Sequence, residues 1–569
     1  MSPEKYSILG LSYNQHSFKR DLIAGLTIFV MLVPQGMAYA MLAGLPPVMG
    51  LYASTIPLII YALLASSRHL SVGPVAITSL LVFSSVSVVA EPGSKEYISY
   101  VLILAIMVGV IQFILGMSKA GFIVKFIPHS VMNGYTSAAA IVIGLSQLKH
   151  LLGIEAGNYL QIHVLFREIF QHLSDVHLLT VGIGIGSMLG LAFLKKINPK
   201  IPGALLIVIL SIAMVYVFGL HQSGVQIVGD VPQGFPTIEL PPLSIEVMQL
   251  LFPMALTISL IAFMESLAIA KAIANKEKYR INPNRELRAL GLANIVGACF
   301  HSFPVNGSFS RTAVNYQAGG VTQVASMITA MLVMVTLFFF TSFFYYLPNA
   351  ILAAIIMVAV YKLIDLKEMR HLFRVKPFEG WIWVTTFFVT LFVGIQWGII
   401  IGAAFTLILF VKRSARPNIV ELGYVKKENA FRDTNRYPKA RTIENVLLIR
   451  VDSSLHFANI AFFEEKIKAF LKRKPIAKWI IVDMAGVNDM DTVSVGTLEE
   501  LIVSYRKEYG VTFVFANMKG AIRDTVKKAG WTKKYKDEIK YPTIEQVVKE
   551  KGFDYHTEEL IVATLDYQI

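Results

Sequence analysis

The chain has 569 residues, 55% of them hydrophobic and only 16% charged, against ~25% charge in ordinary soluble domains. Its mean hydropathy of +0.58 excludes a disordered chain, a nucleic-acid-binding arm and an ordinary cytosolic enzyme. The formal charge is +14, and the single cysteine, Cys299, excludes an intramolecular disulfide and a cysteine-based zinc cluster, which leaves a polytopic membrane protein with something soluble attached.

The charge divides the chain. Residues 417–569 carry 47 charged residues, whereas the first 416 carry 43. The predicted organisation is a cytoplasmic N-terminal segment over 1–20, a transmembrane domain over 21–416, a linker over 417–435 and a cytoplasmic domain over 436–569. Excess Lys and Arg mark cytoplasmic loops. Such clusters stand at Lys195/Lys196/Lys200, 271–288, 362–376 and 412–416. The stretch 220–246 has Asp230, Glu239 and Glu246 but no Lys or Arg, and is placed outside. Lys5, Lys19 and Arg20 put the N-terminus inside, the tail is inside as well, and the number of spans is even. The first apolar run follows a polar lead of ~20 residues and continues into further spans, so it does not read as a cleavable signal.

A span needs ~20 apolar residues. In chain order, the predicted full-length spans are 22–41, 48–65, 100–117, 131–151, 178–194, 203–220, 248–274, 324–346, 351–361 with its flanks, 381–395 and 397–411. Three short or interrupted segments, 75–90, 287–300 and 309–321, bring the count to 14. Two of these open on Gly and Pro: Ser71-Val72-Gly73-Pro74-Val75-Ala76, and Pro304-Val305-Asn306-Gly307-Ser308-Phe309-Ser310-Arg311. That pattern predicts broken backbone leading into a half-helix. Irregular backbone at membrane depth belongs inside protein or beside a water-filled cavity. The two segments fall third and tenth in a 7 + 7 count, and matched interruptions in two halves point to a transporter site.

Ionisable groups stand out in such a background. No Asp, Glu, Lys or Arg occurs between positions 22 and 67. Glu265 lies within the apolar segment 248–274, with Ala262, Ala268 and Ala272 on its helical face. Arg311 follows Ser308 and Ser310 at the start of a half-helix. Intramembrane ionisable groups are functional candidates by default. A helix N-terminus favours an anion, and a guanidinium adds full charge and a donor fork suited to oxyanions. A buried carboxylate suits a proton carrier; the competing reading is a purely structural Glu–Arg pair. His69, His129 and His301 border spans and read as structural or interfacial. Trp381, Trp383 and Trp397 fit interfacial belts, and Lys271 reads as a snorkelling side chain. No Walker A, HExxH, CxxC or Ser-His-Asp arrangement appears, so neither ATP-driven pumping nor hydrolysis is expected.

The tail alternates strand and helix: strands at 446–451, 479–484 and 511–516, and helices at 460–473, 492–509 and 521–529, the last ending at Gly530. A small α/β domain with helices covering a sheet follows. It has no phosphate-binding glycine loop, so a docking or regulatory module is expected rather than an enzyme.

Longer motifs resemble a known family. Pro34-Gln35-Gly36-Met37-Ala38-Tyr39-Ala40, then Leu45-Pro46-Pro47 and Gly50-Leu51-Tyr52, resemble the first signature of the SulP/SLC26 sulfate permease family. So do 66–77, 265–274 and 304–315, while the tail resembles a STAS domain. The resemblance implies an all-α polytopic membrane domain of 14 transmembrane segments, arranged as two inverted seven-span repeats with core and gate domains, plus a small cytoplasmic α/β STAS domain. It implies a small inorganic anion held by Gln35 and Tyr39 of the first span, Val75 and Ala76 of the third, and Ser308, Phe309, Ser310 and Arg311 of the tenth. Glu265 becomes the coupling residue for H+ or Na+. The implied mechanism is an elevator-like movement in a homodimer in the cell membrane among lipids, with both termini cytoplasmic, no cofactor, no metal and no nucleic acid. The STAS loop reads Asp491-Thr492-Val493-Ser494, where phosphorylated STAS proteins have Asp-Ser-Ser-Gly. Thr492 keeps a hydroxyl as a regulatory candidate, and the STAS domain as a whole is where a cytoplasmic protein partner would dock. Proton-coupled sulfate symport is the leading expectation. Sodium-coupled transport of bicarbonate or a dicarboxylate, an anion channel, and a non-transporting scaffold remain open.

Overall fold

Hydrocarbon offers a backbone no hydrogen-bond partners, so a chain that spans it must satisfy itself in helices. The computed structural model describes residues 6–8, 11–122, 128–155, 162–197, 203–242 and 244–553, and divides into two compact units, Met1–Thr406 and Leu407–Ile569. Lys5, Lys200 and the last 16 residues of the expected C-terminal domain, 554–569, lie outside the described residues.

The first unit is built from helices. Among the described residues, five segments are long and apolar enough to cross a membrane: Gln15–Leu42, Pro47–Leu64, Lys95–Met117, Ile245–Lys276 and Trp397–Ala415. Shorter apolar helices are Ala76–Val86, Leu178–Leu194, Gly203–Phe218, Val324–Phe339 and Asn349–Val360. Helix Gln15–Leu42 starts where the Asn14 side chain accepts the Ser17 N–H at 2.9 Å, and it runs through Pro34. The next segment breaks into Pro47–Tyr52 and Ile56–Leu64, with Pro57 in the first turn of the second piece. These elements approach closely at paired glycines: a Cβ on Gly50 would stand 1.9 Å from the Gly36 carbonyl oxygen. The segment expected over 287–300 is helix Pro283–Ala298, begun by the Asn282 side chain, so its first turns carry Arg285, Glu286 and Arg288.

Two short amphipathic helices, Ile162–Gln171 and Leu366–Val375, were not expected from hydropathy. Their apolar positions are too few for a span, and the second was read only as a basic cluster. Trp383 is a further correction. It is buried rather than interfacial, its indole N–H donates to Asn133 Oδ1 at 2.7 Å, and its ring stacks on Phe387 at 4.9 Å. Gly134 allows this approach, because a Cβ there would meet the Trp383 carbonyl oxygen at 2.6 Å.

The second unit holds a five-stranded sheet in the order Ala430–Asp433, Ile419–Val425, Val446–Val451, Trp479–Asp483, Thr512–Ala516. The last three strands are parallel, with Val446 opposite Trp479 and Trp479 opposite Thr512. Strand residues alternate between two buried faces. Leu447, Ile449, Ile480, Val482, Phe513 and Phe515 meet helices Ile460–Arg473, Thr492–Tyr509 and Gly520–Lys528. Val446, Leu448, Ile481 and Val514 meet Tyr541 and helix Ile544–Glu550. Cover on both faces is why these strands read as continuous apolar runs. The expected linker 417–435 is not a bare connection, because it supplies the two antiparallel strands at one end of the sheet. Its dense charge sits on the exposed turn Lys426–Asn429, while Val420, Leu422 and Tyr424 face the core.

Candidate functional site

Helices Ala76–Val86 and Phe309–Gln317 have 11 and 9 residues. At ~1.5 Å per residue each reaches about half-way through a ~30 Å hydrocarbon layer. Each is preceded by a two-residue strand, and the strands pair with each other. Val72 lies opposite Gly307 and Gly73 opposite Asn306, antiparallel, and the Ser308 N–H donates to the Ser71 carbonyl at 2.9 Å. Pairing satisfies broken backbone that lipid could not. It also brings the N-terminal ends of both half-helices to one small crossing. The first half-helix begins after Val75 with no side-chain cap among the described residues, and the first-turn N–H groups of a helix have no partner within it. Ser308 begins the second.

Arg311 reaches across this crossing. It is fully buried, and its Nη1 donates to the Pro74 carbonyl at 2.8 Å. Its Nε and Nη2 have no partner among the described residues. Gly73, at φ +147°, passes so close that a Cβ there would meet Nη2 at 3.2 Å. A buried cation with unmet donors is costly, and an anion is the group that satisfies it.

Glu265, on helix Ile245–Lys276, accepts from Asn306 Nδ2 at 2.7 Å. Glu265 and Arg311 feel each other's charge but form no ion pair within 4 Å among the described residues. The next residue on the helix, Ser266, accepts the Gly307 N–H at 2.8 Å, so the helix is tied to the crossing twice. Tyr39 lies in electrostatic reach of both Glu265 and Arg311. Gln35, just after Pro34, is buried, and its Oε1 has no partner among the described residues. Val75 and Ala76 are buried, whereas Phe309 and Ser310 are exposed, and Ser310 Oγ lies 3.3 Å from Ser308 Oγ.

Several residues around the site carried no sequence signal. Thr78 donates to Asn306 Oδ1 at 3.0 Å. Asn294 brackets Val305, accepting its N–H at 2.8 Å and donating to its carbonyl at 3.2 Å. Glu286, read as part of a basic cluster, is fully buried and accepts from the Ser66 and Ser67 N–H groups and the Tyr61 hydroxyl. Asp21 does the same for the Val321 and Thr322 N–H groups. Only their carboxylate identity was visible beforehand. His69 is buried, with Nδ1 3.2 Å from the Tyr279 hydroxyl. In the second unit Thr492 is exposed in the first turn of its helix. Asp491 caps that turn, accepting from the Ser494 and Phe457 N–H groups at 2.8 and 2.7 Å. Partial burial opposes ionisation of Asp491, but these backbone donors prevail and hold its carboxyl below the ordinary range.

Comparison with known proteins places this arrangement. Residues 18–386 match the model of the sulfate permease family, and residues 437–549 match that of the STAS domain. The chloroplastic sulfate transporter 4.1 of Arabidopsis thaliana is 35% identical over 532 residues, covering 90% of this chain and 77% of its own. Murine Solute Carrier 26 family member A9 (Slc26a9), an anion transporter solved in the inward-facing state, superposes with a TM-score of 0.87 at 26% identity. That match covers 96% of this chain and 92% of that one. The transmembrane domain of the cyanobacterium bicarbonate transporter BicA has a TM-score of 0.60 at 20% identity, covering 69% and 98%, a likeness of fold alone. The chain therefore belongs to the sulfate permease family, as a multi-pass membrane protein with a C-terminal STAS domain, in a class of anion transporters rather than enzymes.

Proposed function

We propose that this chain is a secondary active transporter of sulfate or a related oxyanion, driven by protons. The observation that carries the reading is Arg311, a buried guanidinium with two unmet nitrogens at the crossing of two half-helices. The anion sits between the two helix N-termini, against the first-turn N–H groups after Val75 and Ala76, and Ser308, Phe309 and Ser310 line its other side. Gln35 and Tyr39 face it from the first helix. Sulfate, rather than another oxyanion, is supported by the Arabidopsis relative's name. Glu265 takes the proton: its electrostatic contact with Arg311 links proton and anion without a direct pair that would neutralise both. Alternating access is an elevator-like movement within 14 spans, in a homodimer in the cell membrane with both termini cytoplasmic. Thr492 is the regulatory position of the STAS domain.

The test is uptake of labelled sulfate into liposomes holding the purified protein, with and without an inward proton gradient, each with and without sodium. Uptake stimulated by the proton gradient alone is expected. Glu265→Gln should keep sulfate exchange and lose gradient-driven accumulation. Sodium-dependent uptake of bicarbonate or a dicarboxylate, with no sulfate uptake, would replace this reading.

A further inference from the structure

A cavity of about 420 Å³ opens between helix Leu366–Val375 and the first turns of two others, and none of the residues at the crossing lines it. Glu368, His371, Leu372 and Val375 line one wall, the i, i+3, i+4, i+7 stripe of their helix. Phe378, Glu379 and Ile382 line a second wall, from the start of helix Pro377–Phe392. His129 and Ser130 line a third, in the first turn of helix His129–Ser146. That helix starts after Pro128 with no side-chain cap among the described residues, and first-turn N–H groups have no partner within a helix. Ser130 is only 3% exposed, and its hydroxyl has no partner among the described residues.

The walls sort by chemistry. Leu372, Val375, Phe378 and Ile382 are apolar. The uncapped helix start favours a phosphate, and His129 and His371 bring imidazole N–H groups. Glu368 and Glu379 favour a cation, and Glu368 lies 3.7 Å from His129, so the two kinds of group are neighbours. No Lys or Arg lines the cavity among the described residues. Helix Leu366–Val375 itself has the pattern of one lying at a membrane surface: Leu366 and Val375 are exposed, as are Lys367, Arg370 and Arg374 beside the stripe.

We propose that this cavity holds one phospholipid with a zwitterionic phosphoethanolamine headgroup. The phosphate sits at the start of helix His129–Ser146, the ammonium donates to Glu368 and Glu379, and the acyl chains leave past Val375 and Phe378 into the bilayer. An anionic headgroup would bring its charge beside two carboxylates with no cation to offset it. A choline headgroup has the cation but no N–H to donate to them. The bound lipid braces helix Leu366–Val375 against helix His129–Ser146. The inference does not depend on which anion is transported.

The test is native mass spectrometry of the full-length protein in detergent, offered phosphatidylethanolamine, phosphatidylcholine and phosphatidylglycerol with the same acyl chains. One phosphatidylethanolamine per chain should be retained about tenfold over either of the others, the worth of one charge-assisted hydrogen bond. Glu368→Gln combined with Glu379→Gln should lose the preference over phosphatidylcholine. Val375→Trp, at an exposed position that tolerates a larger side chain, fills the apolar end. It should lose the lipid whatever its headgroup, and it supplies the second measurement should the double variant not fold. Exchange of labelled sulfate should stay at the wild-type rate in both. Equal retention of phosphatidylglycerol would assign the lipid to the exposed Lys and Arg and overturn the proposal, and equal retention of phosphatidylcholine would remove the carboxylates from it. Displacement by glycerophosphoethanolamine, which has no acyl chains, would overturn a lipid as the ligand. A wild-type preference in the double variant, or wild-type retention in Val375→Trp, overturns the site.

Discussion

Arg311 poses a question of fork against point charge. Its guanidinium spends one nitrogen on the Pro74 carbonyl and leaves two without a partner among the described residues. A lysine keeps the charge but cannot hold that carbonyl and present two further donors in a plane. Arg311→Lys should therefore weaken sulfate binding at least ~10-fold, the worth of one charge-assisted hydrogen bond, while Arg311→Gln should abolish it. Titration with sulfate checks this, and an unchanged Kd for the lysine variant removes Arg311 from the site. Asp491 makes a residue-scale case in the second unit. Its carboxyl is held below the ordinary range by two backbone N–H groups, so the stability it adds is present above its unfolded value and is lost as pH falls through the folded one. Asp491→Ala should cost ~1 kcal/mol at neutral pH, a typical N-cap value, and the difference from wild type should close below about pH 4. Urea unfolding across that range measures it; a gap that persists in acid would mean the cap does not act through its charge.

At the scale of elements, close approach of backbones does what side chains do elsewhere. Gly36 and Gly50 let helix Gln15–Leu42 and helix Pro47–Tyr52 touch, next to Gln35. Gly50→Ala places a methyl 1.9 Å from a carbonyl oxygen that cannot move away, so it should cost about 3 kcal/mol or more. Gly186→Ala has open space around it and should be neutral. Thermal midpoints in detergent distinguish the two, and equal midpoints would show that the helices can separate without loss. The half-helices were legible in the sequence because Gly and Pro at 73–74 and 304–307 interrupt apolar runs too short to span. Their crossing was not legible. Val72–Gly73 and Asn306–Gly307 are two residues each, too short for any alternation to register, and their pairing joins positions more than 200 residues apart. Arg311 and Glu265 were visible because charge is rare there, whereas Thr78 and Asn306 are uncharged and became visible only through their partners. The hairpin at 419–433 was hidden by the opposite effect, charge on a turn outweighing the apolar residues beside it. Trp383 was misplaced because hydropathy cannot tell a lipid-facing indole from one whose N–H meets a buried amide.

For the membrane unit as a whole, polar ties define which helices move as one body. Asp21 fastens the first helix to residues 321–322, and Thr329 donates to the Gly25 carbonyl at 2.9 Å. Glu286 fastens helix Pro283–Ala298 to the loop before the first half-helix, Gln323 reaches the Ser67 and Leu70 carbonyls, and Asn315 reaches that of His69. Gln112 accepts from Asn294 and donates to the Ser259 carbonyl at 3.3 Å, which joins helices Lys95–Met117, Pro283–Ala298 and Ile245–Lys276. Each buried amide or carboxylate would be left unpaired if its helix slid alone, at about 1–3 kcal/mol apiece, so these helices form a rigid group around the crossing. A second group is tied separately: Trp383 to Asn133, and Ser137 to the backbone of Leu363 and Asp365. A body that carries Arg311 and both half-helices past the other would move the anion without breaking those bonds. Spin labels at Met117 and Lys276, both in the first group, should keep their separation when sulfate is added under a proton gradient. Labels at Lys276 and Arg370, one in each group, should change theirs by several ångströms, the scale of such collective motions. Pulsed electron–electron distance measurements read both pairs in liposomes. A fixed Lys276–Arg370 distance during turnover would exclude an elevator, and a changing Met117–Lys276 distance would mean that the ties through Gln112, Asn294 and Glu286 do not hold the moving body together.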